Sequence, residues 1–209
     1  MKIKKIAVIV GSLRKDSYNK KMAKLLITLA PKSLALENLD ISALPMYNQD
    51  LDKTPPAAWT EFRNRLRIFD GVLFVTPEYN RSVPGVLKNA IDVGSRPYGS
   101  NVWSGKPGAI VSVSLGAVGG FGANHHLRQS LVFLNVPAMP QPETYIGDAE
   151  KLFDINGTMT SVSTREYMQK FMDSFAEWVG KHTFQVSETS FTMKKEVEKS
   201  NTYADRIIT

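Results

Sequence analysis

Hydrophobic positions in this chain fall into two alternating kinds of segment. Residues 6–10, 71–76 and 108–113 are short, continuous apolar runs rich in β-branched side chains, the mark of strands covered on both faces as in a parallel sheet. Between them the apolar positions recur at three- and four-residue steps. Met22, Leu25, Leu26 and Leu29 do so over residues 17–30, closed by Pro31, and Phe62, Leu66 and Phe69 do so over 57–69, which predicts amphipathic helices. Further helices are expected over 84–93 and 124–134, a shorter strand near 34–39, and an irregular last strand over 138–146. The clearest helix carries Tyr167, Met168, Phe171, Met172, Phe175, Trp178 and Val179 on one face and Lys170, Asp173, Glu177 and Lys181 on the other. Its aromatic stripe reads as core. Five strands alternating with five helices predict an α/β fold: a doubly wound, five-stranded parallel sheet with helices on both faces, right-handed crossovers, and ligands at the carboxyl ends of the strands.

A length of 209 residues suits one compact domain, and 43% hydrophobic against 22% charged residues excludes global disorder. That domain is expected over residues 1–182. Residues 183–209 are polar and mixed in charge; they are expected to be a C-terminal extension packing on a neighbouring subunit or back over its own domain. With no cysteine, disulfide scaffolds, zinc ribbons, iron-sulfur clusters and thiol nucleophiles are excluded, so redox chemistry must come from a cofactor. Lys2, Lys4 and Lys5 ahead of residues 6–10 imitate a signal peptide, but the apolar run stops after five residues. The stretch 107–127 lacks charge, yet its five glycines with Asn124, His125 and His126 would be penalised by lipid. A soluble, cytoplasmic protein with no membrane partner is the expectation.

The net charge of +6 is concentrated: residues 1–30 hold eight Lys or Arg and only Asp16. No basic run interleaved with aromatics and no helix-turn-helix signature accompanies it, so no nucleic-acid partner is expected. Part of the excess reads as facing a small anionic ligand.

The strand ends carry the candidate chemistry. Gly11 to Asn19 is neither a dinucleotide fingerprint nor a Walker A loop. It offers the Ser12 and Ser17 hydroxyls, the Asn19 amide, the Arg14 guanidinium and the free N–H groups of a helix start, a donor set for a phosphate monoester. From local chemistry alone an equal alternative stands, in which Ser17 or Asn19 is merely an N-cap and Arg14 a solvated charge. Thr76 to Gly85 is rich in amide and aromatic groups, with Pro77 and Pro84 stiffening its ends. Ser112 to Gly122 holds glycines that let backbone approach closely. It is not a nucleophile elbow, because Ser112 rather than glycine precedes Ser114 by two. The stretch from Gly99 to Lys106 only imitates a phosphate loop, and His125 and His126 lack partners for a metal site.

Together these loops resemble the NAD(P)H-dependent FMN reductases of the flavodoxin-like superfamily, the group of bacterial quinone and chromate reductases and related azoreductases. The pattern G-S-x-R-x-x-S-x-N is matched by Gly11, Ser12, Arg14, Ser17 and Asn19, and T-P-E-Y-N-x-S-x-P-G-x-L-K-N-A-I-D from Thr76 to Asp92, with Arg81 and Val86 in variable places. Ser114, Gly116, Gly119, Gly120 and His126 to Gln129 match the third loop and its helix, and the resemblance spans about residues 4–180. It implies FMN, rather than FAD, with Ser12, Arg14, Ser17 and Asn19 on the phosphate. Pro77, Glu78, Tyr79 and Asn80 would meet the isoalloxazine edge, Ser114 and Gly116 would flank the ring, and Tyr18 and Ser82 would complete the cofactor site. NADPH or NADH would deliver hydride to the flavin, and a small-molecule acceptor (quinone-like, azo or otherwise oxidised) would take two electrons. No side chain need act as acid or base, and Glu78 is expected to orient its loop.

The rival reading is a flavodoxin-type FMN electron carrier without pyridine-nucleotide turnover, although such carriers typically have acidic surfaces. Val93 stands where the family commonly has Trp, and residues 94–103 have their own composition. The resemblance further implies a homodimer or homotetramer. Tyr98 and Trp103 of the loop 96–103, with Phe191 and Tyr203 of the extension, are candidates to shape a nicotinamide slot on a neighbour, and Arg81 or Arg96 to meet the ribose phosphate.

Overall fold

The computed structural model describes residues 2–183. Phe191, Tyr203 and the expected docking of the extension lie outside the described residues. The elements run β1 (Lys4–Val10), α1 (Tyr18–Thr28), β2 (Leu34–Asn38), α2 (Ala57–Arg67), β3 (Gly71–Thr76), α3 (Gly85–Ser95), β4 (Gly108–Val113), α4 (Phe121–Phe133), β5 (Thr144–Ile146) and α5 (Val162–Thr183). All strand pairings are parallel, in the order β2-β1-β3-β4-β5, the flavodoxin-like order.

Alternation along the strands divides the core between the two faces of the sheet. Ile6, Val8, Val10, Leu73, Val75 and Val111 pack with Met22 and Leu26 of α1 and with Phe171, Met172 and Phe175 of α5. Ala7, Ile9, Val72, Phe74 and Ile110 turn to the other side, against Phe62 and Leu66 of α2, Leu87 and Ile91 of α3, and Leu127 and Leu131 of α4. With both faces covered, the central strands can be apolar at nearly every position, which is why they read as unbroken runs.

Three expectations change. The last strand is only Thr144–Ile146, with an isolated bridge from Gly108 to Ala138 upstream, because Pro137, Pro140 and Pro142 remove the donors that a ladder needs. The stripe on α5 is core at Met168, Phe171, Met172, Phe175 and Val179, while Tyr167 lies at the rim and donates to the Glu143 carbonyl at 2.5 Å. Trp103 is fully buried in the α2/α3/α4 layer, its Nε1 donating to the Ile91 carbonyl at 3.0 Å. It is therefore spent in its own core and cannot reach a neighbour's slot. Among the described residues, no helix is long and apolar enough to cross a membrane.

Candidate active site

Parallel strands bring the carboxyl ends of β1, β3 and β4 to one edge of the sheet, and the three loops that follow enclose a cleft of about 470 Å³. Ser12, Arg14, Ser17, Tyr18 and Asn19 line it from the first loop; Pro77, Glu78 and Tyr79 from the second; Ser114 and Gly116 from the third. The structure thus brings ten of the twelve expected site residues together. Asn80 and Ser82 stand outside the lining, which instead includes Arg81, Val113, Leu115, Val118 and Gly120.

The first loop leaves β1 by a tight crossing. The Gly11 N–H donates to the Val75 carbonyl at 2.9 Å, and a Cβ at this position would stand 2.9 Å from Thr76 Oγ1 and 3.2 Å from Leu87 Cδ2. Ser12, just after β1, and Ser17, at the start of α1, are both buried. Ser17 is the N-cap residue, yet its hydroxyl makes no capping hydrogen bond, so capping alone does not account for it. The first turn of α1 contains no acidic residue; Lys20 and Lys21 sit there instead, cations at the positive end of a helix dipole, an arrangement that an anion would relieve. Arg14 takes part in none of the six ion pairs among the described residues. The Asn19 amide donates to the Val113 carbonyl at 3.2 Å, tying α1 to the end of β4, while its Oδ1 is buried without a partner among the described residues.

In the second loop Tyr79 and Ser82 exchange backbone hydrogen bonds at 3.0 Å each, with Asn80 at φ 51° and Arg81 at φ 63° between them. That is a two-residue hairpin of the I′ class, so its shape comes from the turn and not only from the flanking prolines. Asn80 is at the tip, and the Ser82 hydroxyl lies 2.7 Å from His126 Nδ1. The Glu78 carboxylate accepts from the Ala123 N–H at 3.0 Å and lies 3.4 Å from Arg81. It is held at the positive end of α4, as a residue that orients its loop.

The third loop is pinned to β5. The Ser114 N–H donates to the Ile146 carbonyl at 2.9 Å and the Ser114 carbonyl accepts from the Ala149 N–H at 3.2 Å. Gly119, at φ 65°, runs so close to β5 that a Cβ would stand 2.7 Å from the Ile146 nitrogen. Leu115 and Val118 present apolar surface at the rim; the glycines around them drew attention in the sequence, and these two side chains did not. Beside the loop, Tyr145 bonds His125 Nε2 at 2.8 Å, and burial together with Glu143 pushes its hydroxyl up to about 12. Lys106 of the imitation phosphate loop donates to the Phe69 carbonyl at 2.5 Å just beyond α2, a structural role in which burial lowers its pKa. Among the described residues, no group of three or more His, Cys, Asp or Glu could hold a metal ion.

The family model for NADPH-dependent FMN reductase matches residues 4–151. The chain belongs to this family. NADPH-dependent FMN reductases are oxidoreductases that use FMN and NAD(P)H, and the residues of the cleft fit that cofactor. Buried hydroxyls, a guanidinium in no ion pair among the described residues and a helix N-terminus suit a phosphate monoester, and the Asn19 Oδ1, without a partner among them, suits a ligand hydroxyl. The chain is 62% identical over 175 residues to a quinone reductase of Pseudomonas putida, covering 83% of this chain and 94% of the relative. It is 51% identical over 175 residues to a 2-hydroxy-1,4-benzoquinone reductase of Burkholderia sp, covering 84% and 96%. Among solved structures it is similar to FerB, the flavoenzyme NAD(P)H:(acceptor) oxidoreductase of Paracoccus denitrificans, with a TM-score of 0.81 at 42% identity, covering 86% of this chain and 99% of FerB.

Proposed function

We propose that this reductase acts on a quinone-like acceptor, and that its FMN lies in the cleft at the ends of β1, β3 and β4. The observation that carries the reading is the meeting of the three loops round one cavity, with Ser12, Arg14 and Ser17 at the start of a helix whose first turn has no acidic residue. When bound, FMN supplies the redox chemistry, taking hydride from NADPH or NADH and passing two electrons to the acceptor. Ser12, Ser17, Arg14 and the first N–H groups of α1 hold the phosphate. Tyr18 and Asn19 close the site behind them. Pro77, Glu78 and Tyr79 present the hairpin's edge to the ring, with Asn80 at its tip; Ser114 and Gly116 flank the ring, and Leu115 and Val118 shield it from water. Glu78 is committed to α4 and is not a proton donor in this reading. Quinones as substrates are supported by the printed activities of the two relatives at 62% and 51% identity; the carrier alternative is not favoured.

Purified protein mixed with NADPH and a benzoquinone should consume NADPH steadily, and FMN should bind more tightly than FAD. A single stoichiometric turnover would point to a carrier, and equal or tighter FAD binding would remove the monoester site.

The proposal includes a cytoplasmic homodimer or homotetramer, with residues 1–182 as the catalytic unit. Tyr98 is 90% exposed in the loop that carries Arg96, and Arg81 stands at the cleft rim, so both remain available to complete a neighbour's nicotinamide slot. Light scattering at micromolar concentration should show the oligomer, and deletion of residues 183–209 should lower its activity. A fully active, monodisperse monomer would refute the arrangement.

A further inference from the structure

The hairpin that faces the flavin site is strained at its tip, because Asn80 and Arg81 both hold left-handed backbone conformations without being glycine, which L-residues adopt only at a cost. Such a turn persists where its surroundings over-determine it. Two cross-turn backbone bonds close it, and the first turn of α4 is pressed against it: a Cβ at Gly122 would stand 2.9 Å from Glu78 Oε2 and 3.0 Å from the Arg81 carbonyl oxygen. One side of the hairpin is tied by the Glu78 carboxylate to the Ala123 N–H. The other is tied by the Ser82 hydroxyl to His126 Nδ1 at 2.7 Å, across 44 residues of sequence.

We propose that His126 is a positioning residue for FMN, acting through Ser82 to hold the 79–82 hairpin against the ring. This rests on the FMN reading above. His126 does not line the cleft; it acts as a post. The residue after it, Leu127, is fully buried, as is Leu131 one turn on, so the helix that carries the imidazole is fixed in the core while the ring reaches out to the hairpin. The neighbouring His125 is turned to Tyr145 of β5 instead, so adjacent histidines bond to two different elements. Either ring tautomer preserves the Ser82 bond, since a hydroxyl both donates and accepts. The role explains why Ser82 belongs to the flavin-loop pattern although it does not touch the cleft.

The test measures FMN dissociation constants of the full chain carrying His126→Ala, Ser82→Ala, both together, His126→Asn and His126→Gln. Each alanine variant should bind FMN about tenfold more weakly, and the pair no more weakly than either alone, because one interaction is being removed. Asparagine places its amide where Nδ1 stands and should restore binding to within about twofold of the native chain; glutamine reaches the Nε2 position and should not. Ser82→Ala removes a single oxygen, so it reports even if His126→Ala fails to fold. Native affinity in both alanine variants, additive losses in the pair, or no rescue by asparagine would overturn the inference while leaving the FMN reading in place. A native chain that does not bind FMN would overturn that reading and this inference with it.

Discussion

Trp103→Ala should lower the unfolding free energy by about 3–5 kcal/mol, the usual cost of emptying a large aromatic site, as measured by urea titration monitored by circular dichroism. Trp103 has no exposed surface; its ring centroid lies 6.0 Å from that of Phe62 and 5.8 Å from that of Phe74, joining α2 to β3. Three losses coincide in the variant: the ring's burial, its aromatic contacts, and the Nε1 hydrogen bond to the Ile91 carbonyl. Gly94 enlarges the effect, because its missing side chain is what makes room for the indole, and a glycine offers nothing to fill the void. Against a total stability of about 5–15 kcal/mol for a typical domain, that is a large share of the whole. Trp103→Phe should lose about 1–3 kcal/mol, through the smaller ring and the loss of the Nε1 hydrogen bond to the Ile91 carbonyl. A loss below about 1 kcal/mol for the alanine variant would place Trp103 outside the core.

Arg14→Ala should weaken FMN binding by about 1.5–3 kcal/mol, the range for a hydrogen bond to a charged group, or about 10- to 150-fold in the dissociation constant. The flavin-free protein should melt as the native chain does, because Arg14 is exposed and belongs to no ion pair among the described residues. The two measurements separate a ligand contact from a structural one. In excess FMN the native chain gains stability by mass action, and the variant should lose most of that gain at the same concentration. Lysine in place of Arg14 should recover part of the affinity, since it restores charge without the planar fork. An unchanged dissociation constant would show Arg14 to be a solvated loop charge.

The sheet was legible in the sequence because a strand covered on both faces cannot hide its character: residues 6–10, 71–76 and 108–113 are apolar almost throughout and lie within β1, β3 and β4. The first-loop donors were legible as chemistry, and the buried Ser17 that makes no capping bond is what tips the balance toward a ligand. The hairpin tip was not legible, because a turn of this kind is signalled by glycine and Asn80-Arg81 offers only the asparagine. Ser82 looked like a cofactor contact because it stands inside the motif; its partner is 44 residues away, a distance that no local pattern carries. Trp103 was misjudged for a related reason. It sits in a polar stretch with Ser100, Asn101 and Ser104, and the space it fills is made by Gly94 on another element.

The backbone contact between the Gly119 loop and β5 also bears on the order in which the protein is made. Ribosomes deliver the first two flavin loops early, yet the third is pinned by the Ile146 carbonyl and the Ala149 N–H, which pair with Ser114. A nascent chain halted before residue 144 would carry every residue expected to touch FMN and still lack the partner that closes the cleft. In the proposed FMN reading the cleft is complete only once β5 has docked on β4, so residues 144–149 belong to the site although none of them lines it.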